Sequence, residues 1–109
     1  MDLPNQHCKP CEGGVAPLSN SEEDSYLREV QGWELSREGI HCISKQFTFN
    51  DFAETMRFVN QVAELAEAEG HHPDMQVSYG RLVIALHTHA ILGLSENDYI
   101  LASKIDRIS

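Results

Sequence analysis

Apolar positions along the chain switch between helical and alternating spacing, and the switches mark the elements. Ser19-Asn20-Ser21-Glu22 places a Ser three residues before a Glu, the reciprocal capping pattern that opens a helix. Tyr26, Leu27 and Val30 then recur at helical spacing, which predicts a first helix over 20–31, ending before Gly32. Trp33 to Ser36 and Ile40 to Phe47 read as two strands joined by Arg37-Glu38-Gly39, with Trp33 in the core. The longest helix is expected over 50–69, with Asn50 as its N-cap and Gly70 as its stop. Phe52, Met56, Val59, Ala63 and Ala66 form its buried stripe, and Phe58, Val62 and Leu65 a second stripe beside it. So broad an apolar face suits either one wide core contact or a core plus a neighbouring subunit. Glu64, Glu67 and Glu69 are left to face solvent or a site.

Met75 to Tyr79 and Leu82 to Thr88 then form a second strand pair around Gly80-Arg81. Alternation puts Leu82, Ile84, Leu86 and Thr88 on one face, the side expected to pack on helices. Val83, Ala85, His87 and His89 fall on the other face. A short connection, 90–94, leads to Ser95-Glu96-Asn97-Asp98, a second cap with an acid three later. The third helix continues from there to the C-terminus. The order α-β-β-α-β-β-α, in two hairpins, predicts an α+β fold: a four-stranded antiparallel sheet with three helices packed on one face. Residues 19–109 form one domain, and 1–18, with three Pro, two Gly and no periodicity, an irregular N-terminal tail.

The candidate chemistry sits at the ends of the second hairpin. Four of the six histidines fall there, as His71/His72 and His87/His89. A hairpin folds its own ends together, so both pairs should reach one edge of the sheet. Pro73 drives His72 out of the α region, so the chain leaves the long helix sharply. Imidazole gives or takes a proton near neutrality, which favours acid–base chemistry. Glu67 precedes His71 by one helical turn, and Asp98 can be brought close from the third helix. Neutral imidazole is also a common metal ligand, and His87-Thr88-His89 keeps a metal reading open, as does a purely structural role for the rings. There is no recognisable Ser or Cys nucleophile motif and no glycine-rich phosphate loop.

Composition narrows the partners. The 109 residues carry a formal net charge of −9, against a nucleic-acid partner, which needs clustered Lys and Arg. No apolar run approaches the about 18 residues of a membrane span, and the opening residues have no secretory pattern. Three cysteines, an odd number, suit a reduced, cytoplasmic setting. His7-Cys8-Lys9-Pro10-Cys11 contains a C-x-x-C pair but no second pair to complete a zinc site, unless His41-Cys42 approaches it in space.

The run Glu67-x-x-x-His71-His72-Pro73, then Tyr79, Thr88-His89, Gly93-Leu94 and Asn97-Asp98, resembles the signature of the pterin-4a-carbinolamine (4a-hydroxytetrahydrobiopterin) dehydratases. Pro17-Leu18, Gly32-Trp33, Phe47-x-Phe49 and the stretch 63–70 are similar to members of the same family, so the resemblance covers about 17–106. It implies a homodimer or homotetramer, and a hydro-lyase that removes water from a 4a-hydroxytetrahydropterin to give the quinonoid dihydropterin. That reaction recycles the tetrahydrobiopterin-type cofactor of aromatic amino-acid hydroxylases, without a metal or bound cofactor. By resemblance, His71 and His89 are general acid and base on the two sides of the ring, His72 holds the substrate, Asp98 orients or charge-balances His89, and Glu67 supports the His71 loop. The pterin edge is read largely by backbone at Gly70-His71-His72 and His87-Thr88-His89-Ala90. His87 departs from the small polar or aromatic residue usual there, and is expected to leave the backbone contacts intact. Some relatives bind a homeodomain transcription factor or assist Rubisco assembly, so a non-catalytic binding, assembly or coactivator module on the same fold is the rival reading.

Overall fold

The computed structural model describes residues 2–10 and 15–109. Three helices, α1 (Asn20–Leu27), α2 (Phe52–Glu69) and α3 (Glu96–Ile108), pack on one face of a sheet of β1 (Glu34–Ser36), β2 (Cys42–Thr48), β3 (Asp74–Ser78) and β4 (Arg81–Leu86). The sheet is antiparallel in the order β1-β2-β4-β3, which makes β2 and β4 central. The α+β class, four strands and helix–strand order are therefore as the periodicity predicts.

Alternation in β4 decides the layer arrangement. Leu82, Ile84 and Leu86 have no exposed surface, while Val83 and Ala85 between them are only half-buried. Ile43 of β2 sits opposite Leu86 and extends the same inner face. Against it lie Phe58 and Val62 of α2 and Ile100, Leu101 and Ile105 of α3. Trp33 is in the core as expected, its indole N–H donating to Asp106 Oδ2 at 3.1 Å. On α2 the second stripe lies innermost at Phe58 and Val62, joined by Ala66 of the first stripe as expected, while Leu65 is half-buried. Thr55, Phe58, Val62 and Ala66 are buried, whereas Phe52 is 49% exposed and Met56, Val59 and Ala63 are half-buried. The Thr55 hydroxyl lies 2.9 Å from the carbonyls of both Asp51 and Tyr79, which share its one proton, so a polar residue occupies the innermost first-turn position that the apolar count passed over.

Element ends differ from expectation for local reasons. α1 stops at Leu27, not Gln31, because the amides of Glu29 and Val30 turn back three residues, to Tyr26 and Leu27, and tighten the chain. β2 starts at Cys42 instead of Ile40, since His41 and Arg37 both turn to the buried carboxylate of Glu23. The N-cap of α2 is Asp51, not Asn50: its carboxylate accepts the Glu54 amide at 2.8 Å. The second hairpin turns at Tyr79-Gly80 between paired Ser78 and Arg81, one residue earlier than expected. Gly80 is required there, because a Cβ would lie 2.8 Å from the Phe49 carbonyl, which runs beside the turn.

Within the 1–18 segment, residues 3–9 are tied to the domain. Leu3, in a 3₁₀ turn over Leu3–Asn5, is buried in the core, and Lys104 of α3 donates to the Pro4 carbonyl. Glu69, expected to face solvent or a site, is covered by this segment: its oxygens take the Cys8 amide at 2.8 Å and His7 Nδ1 at 3.1 Å. Lys9 and Asn97 exchange hydrogen bonds of 2.9 and 2.6 Å. Cys11 lies outside the described residues, and with it the C-x-x-C pair; His41, proposed as a further ligand, is instead bonded to Glu23 Oε2 at 2.7 Å.

Candidate active site

The hairpin brings its two ends together by register. Asp74, the first residue of β3, pairs with Ala85, so the residues just before β3 lie beside those just after β4. Gly70, His71, His72, Pro73 and Asp74 on one side and His87, Thr88, His89 and Ala90 on the other line a single cavity of about 310 Å³. That volume falls at the lower end of the about 300–1,000 Å³ typical of small-molecule sites. A smaller hollow of about 150 Å³, beside Lys9, Val15 and Ile91, contains none of these imidazoles.

His71 is placed by the end of α2. Gly70 adopts the left-handed conformation (φ 66°), and the His71 amide then donates back to the Ala66 carbonyl, closing the helix. The His71 ring is turned inward, 10% exposed, and its Nε2 lies 2.6 Å from Asp98 Oδ1. Asp98 is fully buried at the start of α3. Its other oxygen, Oδ2, accepts the Thr88 hydroxyl at 2.8 Å and the Ser95 amide at 3.0 Å. Ser95 Oγ stands 2.7 Å from Thr88 Oγ1. Thr88 has one proton and gives it to Asp98, so Ser95 must donate to Thr88. A carboxylate that accepts from every side makes His71 Nε2 the donor, and leaves the lone pair of the neutral ring on Nδ1.

This pairing corrects one expectation. Asp98 does not orient His89; it holds His71. The reason is the cap: the carboxylate that closes the first turn of α3 points at the helix end carrying His71. Glu67 meets the loop at two points: its carbonyl accepts the Gly70 amide at 3.3 Å, and its exposed carboxylate stands 3.4 Å from His72 Nε2. Neither His87 nor His89 lies on the strand expected to carry both. β4 ends at Leu86, and His89 begins a 3₁₀ turn (His89–Ile91) held by the Thr88–Gly93 bridge. The two rings meet nonetheless, with His87 Nε2 3.2 Å from His89 Nδ1.

Three participants escaped the sequence reading. The Thr88 hydroxyl is buried and bonded to Asp98, in addition to any backbone role. Ser95 links to it, and Asp74 lines the cavity with Oδ2 3.8 Å from His87 Nδ1. The Ser95…Asp98 cap was the available signal, because a capping carboxylate has a fixed direction. Cys42 lies behind the site. Burial, with Asp98 and Asp74 adding to it, pushes its thiol above the ordinary range and keeps it protonated at neutral pH.

Comparison with known proteins identifies the family of the chain. Residues 16–108 match the family model described as pterin 4 alpha carbinolamine dehydratase. A relative from Nitrosomonas eutropha, provisionally named a pterin-4-alpha-carbinolamine dehydratase, is 47% identical over 98% of this chain and 93% of its own. A similarly named protein of Rubrobacter xylanophilus is 43% identical over 98% of each. The crystal structure of a transcriptional coactivator/pterin dehydratase from Brucella melitensis superposes with a TM-score of 0.79, at 34% identity, over 84% of this chain and 97% of that one. A pterin dehydratase-like protein identified as a RuBisCO assembly factor in the alpha-carboxysome shares the fold at a TM-score of 0.61 and 23% identity, over 72% of this chain and 89% of that one.

Proposed function

We propose that this chain, which belongs to the pterin 4 alpha carbinolamine dehydratase family, dehydrates a 4a-hydroxytetrahydropterin to the quinonoid dihydropterin by histidine acid–base catalysis. The observation that carries the reading is the convergence of a carboxylate-held imidazole, His71, and a second imidazole, His89, on one cavity of about 310 Å³.

The reaction requires two proton transfers. The C4a–O bond breaks as the oxygen takes a proton and leaves as water. N5 loses its proton, and its electron pair forms the C4a=N5 double bond. No electrons are gained or lost overall. Imidazole, which titrates near neutrality, is suited to both transfers. In this reading His71 and His89 work from the two sides of the ring, and Asp98 is a positioning residue that sets the His71 tautomer. His72, at the mouth with Glu67, holds the substrate, while main-chain groups of Gly70–His72 and 87–90 read the pterin edge. The product is the oxidised form that a reductase returns to tetrahydropterin, which links the chain to an aromatic amino-acid hydroxylase. The setting is cytoplasmic, and the working unit is a homodimer or homotetramer.

The test is to generate the 4a-hydroxytetrahydropterin chemically and follow its absorbance with and without the full chain. Acceleration of the decay by the chain alone is expected. Decay at the background rate, together with a stable complex with another protein, would favour the binding or assembly module instead.

A further inference from the structure

The same cavity carries a second arrangement, which shares His89 with the proposed dehydration and adds His87 and Asp74. We propose that His87, His89 and Asp74 form a binding site for one divalent transition-metal ion of the zinc class. Two imidazole nitrogens on a tetrahedral zinc, each about 2.0–2.1 Å from the ion, are about 3.3–3.4 Å from one another. His87 Nε2 and His89 Nδ1 are 3.2 Å apart, close to that spacing, so an ion would replace the proton these two nitrogens share in their hydrogen bond. One ligand atom from each ring and an oxygen of Asp74 lie within 4.8 Å of one another, and no other such trio of His, Cys, Asp or Glu occurs among the described residues.

The backbone fixes two of the three positions. His87 follows directly on central strand β4, and its side chain is 15% exposed. His89 sits in the turn closed by the Thr88–Gly93 bridge. Asp74 begins β3 opposite Ala85, and its side chain is 69% exposed, so a rotamer change brings it the last distance without disturbing the core. Two imidazoles and a carboxylate suit zinc, cobalt, nickel or copper, whereas magnesium and calcium favour all-oxygen sets. An occupied site withdraws a His89 nitrogen from proton transfer. That consequence rests on the proposed function, and it makes the ion an inhibitor, not a cofactor.

The experiment uses the untagged full chain carrying Cys8→Ser and Cys11→Ser, so that tail thiols bind nothing. Zinc is titrated calorimetrically, and cobalt by its visible absorption, with no pterin present. One saturable ion per chain is expected, weakened at least tenfold by His87→Ala and by His89→Gln, with circular dichroism confirming the fold of each. Absence of saturable binding, or equal affinity in both variants, overturns the site. The titration needs no turnover, so an inactive chain leaves it readable, and a failed titration leaves the dehydratase reading standing.

Discussion

Asp98 carries more of the site than any other single residue. One buried carboxylate caps α3, accepts the Thr88 hydroxyl and holds the His71 ring. Asp98→Asn keeps the shape but replaces one acceptor with a donor, which opposes one of these three donors. The rate is expected to fall by a large part of the about 10²–10⁴-fold that positioned acid–base groups contribute, with KM changed much less. The same substitution should lower stability by about 1–3 kcal/mol, the usual cost of an unpaired buried polar group. Steady-state kinetics and a urea titration separate the two effects, and an unchanged kcat would contradict the positioning role. Leu86 offers a contrast, being fully buried beneath the site with no polar atom. Leu86→Ala should cost about 2–5 kcal/mol in the urea titration.

At the scale of elements, the sequence revealed the framework better than the junctions. Capping boxes at Ser19 and Ser95, alternation in β4 and the stop at Gly70 were legible because each is a local rule with a local cause. The cavity-lining histidines were legible because a hairpin must join its own ends. The partner of Asp98 was not, since it depends on how α3 lies against the end of α2. The packing of residues 3–9 was equally hidden, because contacts with Glu69 and Asn97 span sixty or more positions and leave no period. Those contacts predict a pH dependence. Burial pushes the Glu69 carboxyl up, but the Cys8 amide, His7 and Lys104 outweigh it and bring it below the usual range. A carboxylate lowered in the folded state stabilises above its unfolded value, about 4.3, and that contribution is lost as pH falls through the lowered value. Residues 3–9 should therefore become susceptible to an acid-active protease on acidification below about pH 4.3, less steeply in Glu69→Gln. Equal acid profiles for the two chains would contradict the assignment.

Across the whole molecule, the helical layer leaves one stripe uncovered. Phe52 is 49% exposed at the start of α2, and Met56 and Ala63 continue it half-buried, while Val59 packs against the core. The inward place of Phe58 and Val62 on α2 is itself informative. The sequence left open one wide core contact or a core plus a neighbouring subunit, and the innermost part is centred on Phe58 and Val62. The remainder suits a second copy of the chain, in line with the homo-oligomer expected from the family. Light scattering should give a mass that is a multiple of the 12.3 kDa chain, shifted towards the monomer by Phe52→Glu. A monomeric wild-type chain at micromolar concentration would contradict this.

The central claim is that imidazoles from the two ends of one hairpin act together on one bound ring. Decay of a 4a-hydroxytetrahydropterin should be followed with the wild-type chain, with His71→Ala, with His89→Ala and with both substitutions combined. Each single change is predicted to remove about 10²–10⁴-fold of the acceleration, and the double to fall short of their product because the groups act as a unit. A folded double variant that decays the substrate as fast as wild type would contradict the account.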